Sequence, residues 1–515
     1  MIPDYIAELV EQGYNHIPVT REVLADLDTP LSTYMKVADG PYSYLLESAQ
    51  GGEKWGRYSI VGLPCRTILK VYGTNIVVEE DGETIESLQS DDPLQFVEQF
   101  QQRYRSPRLP ELPIYSGGLV GYFGYDTVRF VEHRVRDSQP PDTIGTPDIL
   151  LMVSNDIIVF DSLRGKLQLI SHIDPNIHGA YEDALAKLDG LVDRLGEAIP
   201  LDKRQPKPGP PIYEEDFNSS FGEQNFMQAV DRIKEYILAG DVMQVVLSQR
   251  MSITLESEPL DVYRALRSLN PSPYMYFMNL QDFHIVSSSP EILARLNGTE
   301  VTVRPLAGTR RRGHDDREDQ ALEKELLSDP KEIAEHLMLI DLGRNDIGRV
   351  CTVGSVEVTE MMVVERYSHV MHIASHVRGT ITEDKNALDL LRATLPVGTL
   401  SGAPKIRAME IIDELEIEKR GIFGGAVGYL AWNGNMDTAI AIRTAIIQGN
   451  KLYIQAGAGV VADSIPRLEW KETVNKARAL FTAAAMSERG LTDRTGVLEN
   501  PRRFDKNAER GIVSD

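Results

Sequence analysis

Residues 455–476 read Gln455-Ala-Gly-Ala-Gly459-Val-Val-Ala-Asp463-Ser-Ile-Pro466-Arg-Leu-Glu469-Trp-Lys-Glu472-Thr-Val-Asn-Lys476, a strand-loop-helix unit that decides the fold of the C-terminal half. Proline is favoured at the first position of a helix, so the helix is predicted to begin near Pro466. Spacings of three and seven then place Glu469, Glu472 and Lys476 on one helical face. Such a face can hold a cation beside an anion, although a solvent-exposed pair of helical charges gives the same pattern.

Two glycines, Gly457 and Gly459, flank Ala458 in this unit. We interpret them as a turn after a strand that ends near Ala456. Without side chains, their backbone N–H groups can converge closely on an anion. Together with the helical charges, this predicts a site for a metal-bound carboxylate substrate.

The composition narrows the class of protein. With 515 residues, 42% of them hydrophobic, the chain can bury a large core in one very large domain or two moderate ones. Its 77 acidic and 54 basic residues give a net charge of −23, which argues against nucleic acid or an anionic membrane as partner. The only two cysteines, Cys65 and Cys351, provide no disulfide framework and no cysteine zinc site. Because neither a signal pattern nor a membrane-length apolar run occurs, we expect a soluble cytoplasmic protein.

A proline-rich polar connection at 204–211 divides the sequence. We predict a region 1–203 before it, read as scaffold or sensor, and a region 212–490 after it. Ser220-Phe-Gly-Glu223 predicts a capping box at the start of a helix that ends at Gly240. Helices then mix with predicted strands without strict β-α-β alternation, which favours an α+β fold over a doubly wound sheet. The predicted strands are 242–251, 276–280, 284–288, 301–304, 426–431, 438–447 and 451–456.

A further helix is predicted to begin after Asp329, because an N-cap residue, a proline at the first helical position and Glu332 at the third coincide. It should continue to about Leu342. Glu335 lies among apolar neighbours in this helix. A buried carboxylate needs a metal or a cation, whereas an outward-pointing one needs neither, and the pattern leaves both possibilities open.

Several segments together resemble the chorismate-utilising enzymes. In the second half they are Asn270-Pro-Ser-Pro-Tyr-Met275, Ser288-Ser-Pro-Glu291, Pro305-Leu-Ala-Gly-Thr-Arg310, Glu335-His-Leu-Met-Leu-Ile-Asp-Leu-Gly-Arg-Asn345-Asp, Gly398-Thr-Leu-Ser-Gly-Ala-Pro-Lys405 and residues 455–476. In the first half, Leu45-Leu-Glu-Ser48 is similar to a tryptophan-sensing motif of this family. The resemblance implies an ADC-synthase-like fold, a four-layer α/β/β/α sandwich with two large antiparallel sheets.

The resemblance also implies a magnesium site and a substrate site. Glu335 and Glu472 would bind Mg²⁺, a cation that takes one or two protein carboxylates besides water and substrate, and Glu469 would act through water. The residues implied to bind chorismate are Gly308, Thr309, Thr399, Phe423, Arg443, Gly457, Ala458, Gly459 and Lys476. Arginine and lysine would pair with its carboxylates. The phenylalanine departs from the family, which often has a tyrosine at that position, so a hydroxyl contact is lost.

The implied reaction forms anthranilate through aminodeoxyisochorismate. Ammonia adds at C2 of chorismate as the C4 hydroxyl leaves, with Glu291 as general acid, and His372 then promotes loss of the enolpyruvyl group as pyruvate. Gln244 stands where water-adding relatives have a lysine base, and Ala307 where aminodeoxychorismate synthases have a lysine. Both residues favour direct attack by ammonia. An aminodeoxychorismate synthase and a catalytically silent tryptophan-binding regulator stay open as alternatives.

The source of ammonia and the regulation are also implied by the resemblance. Neither cysteine lies in a glycine-rich nucleophile elbow, so the sequence predicts no glutaminase of its own. Ammonia would come from a separate glutamine amidotransferase subunit in a hetero-oligomer. Tryptophan would inhibit the enzyme, its ammonium group bound by a carboxylate and a hydroxyl and its indole by an apolar wall. The implied inhibitor residues are Glu47, Ser48, Pro273, Tyr274 and Met275.

Overall fold

The computed structural model describes residues 3–48, 57–204, 208–367 and 370–491. Residues 205–207 of the predicted connection therefore lie outside the described residues. The strands are β1 (Ile17–Leu24), β2 (Ser43–Glu47), β3 (Tyr58–Gly62), β4 (Thr67–Tyr72), β5 (Asn75–Glu80), β6 (Glu83–Gln89), β7 (Gly118–Phe123), β8 (Ile149–Ser154), β9 (Asp156–Asp161), β10 (Lys166–Ile173), β11 (Asn218–Ser219), β12 (Gln244–Thr254), β13 (Tyr274–Asn279), β14 (Phe283–Ser289), β15 (Ile292–Asn297), β16 (Glu300–Val303), β17 (Leu306–Arg311), β18 (Glu357–Arg366), β19 (Val370–Thr380), β20 (Gly402–Ala403), β21 (Ala426–Ala431), β22 (Met436–Ile440), β23 (Thr444–Gln448) and β24 (Lys451–Val460).

Helices flank these strands. The α-helices are α1 (Asp4–Glu11), α2 (Pro30–Thr33), α3 (Pro93–Gln101), α4 (Ala180–Leu195), α5 (Leu201–Arg204), α6 (Glu223–Leu238), α7 (Pro259–Leu269), α8 (Asp316–Ser328), α9 (Pro330–Gly348), α10 (Ala387–Thr394), α11 (Lys405–Leu415) and α12 (Pro466–Glu488). A 3₁₀ turn at Gly398–Leu400 matters for the site. Over the described residues, every helix is too short or too polar to traverse a lipid bilayer.

The strands form two large antiparallel sheets. The first follows the order β1-β10-β9-β3-β2-β13-β14-β23-β24-β12-β11, with β20 beside β12. The second follows β17-β19-β16-β15-β22-β21-β7-β8-β4-β5-β6, with β18 beside β19. Strands from before and after residues 204–211 share each sheet, since β2 pairs with β13 and β7 with β21. The division of function between the two predicted regions stays a prediction.

Apolar side chains define four layers. Tyr44 and Ile60 of the first sheet pack with Val120 and Tyr122 of the second in one core between the sheets. Helices α4, α7 and α12 cover the outer face of the first sheet, and α3, α9 and α10 cover that of the second. Burial of both faces of each sheet supplies the main driving force for this arrangement. The predicted α/β/β/α sandwich is confirmed.

The chain crosses between the sheets twice near the middle of the sandwich. It leaves β14 of the first sheet and enters β15 of the second through Pro290 and Glu291, and it returns from β22 to β23 through residues 441–443. The two crossings lie side by side, because the N–H of Ile440 donates to the carbonyl of Glu291 at 3.0 Å. The single strand predicted over 438–447 is therefore wrong. Arg443, with a φ of 49°, breaks it into two strands of different sheets.

The helix starts show where local signals were sufficient. Helix α9 begins at Pro330, and the carboxylate of Asp329 accepts the N–H of Lys331 at 3.0 Å, as predicted. The helix runs on to Gly348, beyond the predicted end. The capping box before α6 is wrong: the N-cap is Gly222, and the Ser220 hydroxyl instead donates to the distant Glu418.

Candidate active site

The two crossings bring a buried acid close to a cation. Glu291 is only 7% exposed, and its carboxylate accepts a long hydrogen bond, 3.4 Å, from the N–H of Leu306. Burial raises the pKa of Glu291 to about 8, against the opposing effects of Leu306, Arg304 and Arg443. The Arg443 guanidinium has neither an ion pair nor a hydrogen bond within the described part of the chain. The Glu291 carboxyl, which is mostly protonated at neutral pH, thus lies near the Arg443 guanidinium, which has no anionic partner in the described structure.

The 3₁₀ turn places a hydroxyl beside this acid. Thr399 lies against Glu291 and acts to lower the pKa of that carboxyl, but its buried side-chain oxygen makes no hydrogen bond of normal geometry in the described structure. Buried hydroxyls are normally satisfied, so one without a partner at a cleft marks a position where a ligand atom or water is expected.

His372 lies on β19 directly opposite Thr309 of β17. Its Nδ1 is 2.9 Å from the carbonyl oxygen of Gly308 and 3.1 Å from Thr309 Oγ1. Since a carbonyl only accepts, Nδ1 carries the proton and Nε2 is left as a base. Burial, with positive Arg443 nearby, lowers the pKa of His372 to about 4, so the ring is neutral at physiological pH. Ser368 and His369 of the same motif lie outside the described residues.

Gly308 itself has a conformational role. Its φ is 65°, a left-handed value that strains residues with a side chain. An added Cβ would lie 3.0 Å from Glu332 Oε2 and 3.0 Å from a methyl of Leu326. The glycine therefore lets β17 bend so that its carbonyl reaches His372.

Three carboxylates of α9 and α12, those of Glu335, Glu469 and Glu472, interact electrostatically. Glu335 is partly buried and its Oε1 accepts a hydrogen bond from Gln244 Nε2 at 3.2 Å. Burial raises the pKa of Glu335, and negative Glu472 adds to the shift. Burial likewise raises the pKa of Glu469, again with Glu472 contributing. The carboxylates therefore repel one another, which a divalent cation would relieve.

The metal site stays a prediction. Over the described ranges, no group of three or more His, Cys, Asp or Glu side chains is close enough to form a complete metal site. The donor chemistry nevertheless fits Mg²⁺, because carboxylates of two helices influence one another electrostatically, and carboxylate oxygens are ligands that Mg²⁺ takes together with water and substrate. Lys476 partly balances the charge, with its Nζ 2.7 Å from Glu472 and 2.9 Å from the carbonyl of Gly457.

The predicted glycine turn is wrong, because β24 continues through it to Val460. Gly457, Ala458 and Gly459 pair with Ser248, Leu247 and Val246 of β12. Small residues are needed here because the neighbouring strand carries Gln244: a Cβ at Gly459 would lie 2.4 Å from Gln244 Nε2. The pairing with β23 ends at Ile454, so residues 455–460 have one open edge in the described structure. Their backbone N–H and C=O groups can thus face a ligand, but they do so from the edge of a strand and not from a turn.

Two further residues of the cleft are Phe423 and Arg304. Phe423 is buried in the core that covers the second sheet, and its contact with substrate stays a prediction. Sequence reasoning missed Arg304, a buried residue paired with Glu365 that affects the pKa of both Glu291 and His372. The available signal was a cation at the end of the apolar strand 301–303.

A second cavity, of about 380 Å³, lies between the sheets. All five predicted inhibitor residues line it: Glu47, Ser48, Pro273, Tyr274 and Met275. The Glu47 carboxylate is already held on the helical side by Arg267, with two contacts of 2.9 Å, and by the Tyr263 hydroxyl at 2.6 Å. Its carboxylate is thus held by these helical residues, and the role implied for it at an ammonium group stays a prediction.

Comparisons with known proteins agree with this geometry. The family model for chorismate binding enzymes matches residues 44–482. Anthranilate synthase component 1 of Pseudomonas aeruginosa is 60% identical over 483 residues, which cover 94% of this chain and 98% of that protein. The Neisseria gonorrhoeae protein of the same name is 55% identical, covering 93% and 97%. A crystal structure of anthranilate synthase component I from Streptococcus pneumoniae superimposes with a TM-score of 0.74 at 38% identity, covering 89% of this chain and 99% of that one.

Proposed function

The chain belongs to the chorismate binding enzyme family and is of the anthranilate synthase component 1 type, and from this premise we propose that it converts chorismate and ammonia into anthranilate and pyruvate. The observation that carries the proposal is the buried acid Glu291 near the unpartnered cation Arg443. Chorismate complements both, because it carries carboxylates for the guanidinium and a hydroxyl that needs protonation to leave.

In the proposed first step, ammonia forms a bond to C2, the two ring double bonds shift from C1=C2 and C5=C6 to C1=C6 and C4=C5, and the hydroxyl leaves C4. Glu291 donates the proton that turns the departing hydroxyl into water, a role suited to a carboxyl with a pKa of about 8. The ammonium group formed at C2 then releases one proton, which balances the proton given by Glu291. Gln244 supports ammonia as nucleophile, because its amide cannot deprotonate water and its Nε2 donates to Glu335. Ala307 on β17 offers no amine that could form a covalent intermediate.

In the proposed second step, aminodeoxyisochorismate loses its enolpyruvyl group. His372 Nε2 accepts the proton from C2, the electron pair of that C–H bond completes the aromatic ring, and the C3–O bond breaks to release the enolate of pyruvate. The enolate takes up one proton at its CH₂ carbon and becomes pyruvate, which balances the proton lost from C2. The carbonyl of Gly308 supports this role because it holds the proton on Nδ1. Burial, with positive Arg443 near the ring, keeps the imidazole neutral, so that Nε2 is free to accept a proton.

We propose that Mg²⁺ is held by Glu335 and Glu472, with Glu469 acting through water. When bound, the ion supplies positive charge that neutralises these carboxylates and polarises a carboxylate of chorismate. Arg443 and Lys476 would pair with the carboxylates of the substrate. Gly308, Thr309, Thr399, Phe423 and the strand edge 457–459 would enclose the remainder of chorismate.

We also propose feedback inhibition by tryptophan bound in the cavity between the sheets. The proximity of Ser48 and Tyr274 to Pro273 and Met275 in one cavity supports the proposal. Because the carboxylate of Glu47 is occupied, its contribution would come from the backbone. A tryptophan titration of anthranilate formation tests this, with phenylalanine as control; equal activity at all tryptophan concentrations would contradict it.

A separate glutamine amidotransferase subunit is proposed to deliver the ammonia, in a cytoplasmic hetero-oligomer. The designation component 1 of the relatives agrees with a partner component. Burial raises the pKa of the Cys65 thiol and raises that of Cys351 to about 11, which suits neither for nucleophilic attack on glutamine. We expect activity with high ammonium from the isolated chain, and glutamine-dependent activity from the isolated chain would contradict a separate subunit.

The deciding experiment is incubation of the purified chain with chorismate, Mg²⁺ and ammonium at mildly alkaline pH, followed by anthranilate fluorescence. We expect anthranilate and pyruvate in equal amounts. A non-fluorescent amino product that retains the pyruvyl group would support an aminodeoxychorismate synthase instead. Unchanged chorismate would support the silent regulator.

A further inference from the structure

We propose that Arg420, a residue behind the substrate cleft, is a positioning residue that fixes the cleft wall for catalysis; this inference rests on the proposed function. Arg420 is 3% exposed. Its guanidinium donates to the carbonyl of Leu400 at 2.6 Å, to the carbonyl of Val246 at 2.7 Å and to both carboxylate oxygens of Glu416 at 2.6 and 2.8 Å. One side chain thus connects three segments distant in sequence.

Each of these segments carries a residue of the proposed site. Leu400 follows Thr399 in the 3₁₀ turn against Glu291. Val246 lies two residues from Gln244 on β12, so both are on the same face of the strand. Arg420 itself precedes Phe423, whose N–H donates to the Arg420 carbonyl at 3.3 Å. A shift of the guanidinium would therefore move several parts of the wall at once.

Glu416 extends the connection to β24. Its carboxylate accepts hydrogen bonds from the N–H and the hydroxyl of Ser248, both at 2.8 Å. Gln455 Nε2 donates to the same hydroxyl at 2.8 Å, two residues before Gly457. The ion pair is thus part of a hydrogen-bond network that reaches the strand edge proposed to face chorismate.

Only arginine can make this set of bonds. Four N–H groups of one planar guanidinium point at two carbonyls and a carboxylate, and its face lies 4.6 Å from the ring centre of Tyr125. A lysine ammonium has three donors without planar geometry and cannot reach all these acceptors. Buried ion pairs are often poor stabilisers compared with apolar packing, whereas their directional bonds define position.

The molecule offers a matched control in Arg129. It is 6% exposed and donates to both carboxylate oxygens of Asp413 at 2.8 Å, to Asp126 at 2.8 Å and to the carbonyl of Val135. Two of these acceptors, Asp413 and Val135, have no hydrogen bond to the segment of Arg420 in the described structure, whereas Asp126 also accepts the N–H of Gly421 at 3.1 Å. A lysine at position 129 loses the same kinds of bonds but leaves the bonds of Arg420 to Leu400, Val246 and Glu416 in place, so the cleft wall should be affected much less.

The test compares the wild type with Arg420→Lys and Arg129→Lys, measuring kcat, KM for chorismate and Tm. We expect both variants to lower Tm, and only Arg420→Lys to lower kcat/KM, by about 10- to 100-fold and mainly through kcat, as for other supporting residues behind active sites. Its alkaline pH limb should also move upward, since a displaced Thr399 no longer opposes the raised pKa of Glu291. Equal kinetic effects of the two variants would overturn the proposal.

Failure of the proposed function can be told apart from failure of the role proposed for Arg420. A wild type that forms no anthranilate would refute the proposed function, whereas an active wild type with matched variants refutes only the role of Arg420. If Arg420→Lys is not recovered folded, Glu416→Gln replaces it, because the amide keeps the shape but weakens the hold on the guanidinium. Wild-type kcat/KM in a folded Glu416→Gln would then overturn the inference.

Discussion

Two regions of the protein bury charged side chains, and they treat them in opposite ways. Behind the cleft, each buried cation has an anion at 2.6 to 2.9 Å. These ion pairs are Arg420–Glu416, Arg250–Glu418 and Arg129–Asp413. In the cleft, the described structure leaves the Arg443 guanidinium without an ion pair or a hydrogen bond, and partly buried Glu335 faces the like charge of Glu332 and of Glu472, the last of which is half-exposed and paired with Lys476. The paired region is complete without a ligand, whereas in the cleft an entering cation and an entering anion would each meet a charge of opposite sign.

The largest effect is expected from Glu335→Gln. The change removes a carboxylate from the proposed Mg²⁺ site, where several kcal/mol of charge stabilisation are at stake, so kcat/KM should fall about 1000-fold. Steady-state anthranilate formation measures it. The matched control is Asp341→Asn on the same helix, an exposed carboxylate that pairs only with Arg344 in the described structure. Similar activities of the two variants would remove Glu335 from the site.

The second prediction sets Arg443→Gln against Arg420→Gln. Loss of the Arg443 guanidinium should raise KM for chorismate about 100-fold, because a charged hydrogen-bonded pair with substrate is worth about 2 to 5 kcal/mol. Its stability should stay unchanged or rise, since no partner is left behind. Arg420→Gln should instead lower the free energy of unfolding by about 3 to 5 kcal/mol, because Glu416 remains buried and unpaired.

Urea unfolding of both variants decides this point. An equal loss of stability in the two would show that Arg443 is paired within the fold, and the contrast between the regions would fail.

The third prediction concerns pH. The pKa of Glu291 is raised by burial from an ordinary value of 4.5 to about 8, so the folded protein retains a proton that the unfolded chain releases. This contribution to stability is fully present below pH 4.5 and is lost as pH rises through 8, at up to about 1.4 kcal/mol per pH unit. Glu291→Gln should flatten that part of the profile. Unfolding measured between pH 5 and 8 gives the slopes, and parallel slopes would contradict the burial of an ionisable carboxyl.

Sequence signals located the elements whose ends are set by neighbouring residues. The proline and cap at Asp329 and the proline at Pro466 fixed two helix starts, and the strand 426–431 was predicted to the residue. The run 438–447 was not resolved correctly, because continuous apolar β-forming residues look alike whether they stay in one sheet or change sheets. The left-handed backbone at Arg443 marks the point where the chain passes from one sheet to the other, so it depends on both sheets being present.

The site shows the same difference between what neighbouring residues determine and what the tertiary fold determines. Resemblance supplied the identities of Glu291, His372 and the three carboxylates. In the structure Arg443 acts on the pKa of both Glu291 and His372, and Lys476 on that of both His372 and Glu335, while their assembly into one site stays a prediction. Whether a charged side chain has a partner depends on residues that are far apart in the sequence. The four hydrogen bonds of Arg420 reach residues up to 174 positions away, and the unpaired state of Arg443 within the described residues likewise depends on the tertiary fold. Local patterns carry no information about such contacts, so the supporting residue Arg420 was missed.

The smallest effect is expected from Thr399→Val. This hydroxyl is buried without a partner in the described structure, so its removal should leave Tm unchanged or raise it by the equivalent of about 1 kcal/mol. Anthranilate formation should fall about threefold to tenfold if the hydroxyl contacts substrate or Glu291. Thr394→Val is the control, since that hydroxyl already donates to the carbonyl of Leu390 at 2.8 Å. A stabilised variant with full activity would assign Thr399 to packing alone.

The placement of late strands inside both sheets has a consequence for biosynthesis. Strand β12 pairs along its length with β24, about two hundred residues later, and β7 of the first half lies beside β21. Such long-range pairing forms slowly, because distant segments must meet before either is stabilised. During translation the second sheet cannot close until residues near 440 have emerged, nor the first until residues near 460, and the helix that carries Glu472 follows later still. A chain whose translation stops early therefore exposes unpaired strand edges, which favour aggregation. It does not form a partly active enzyme.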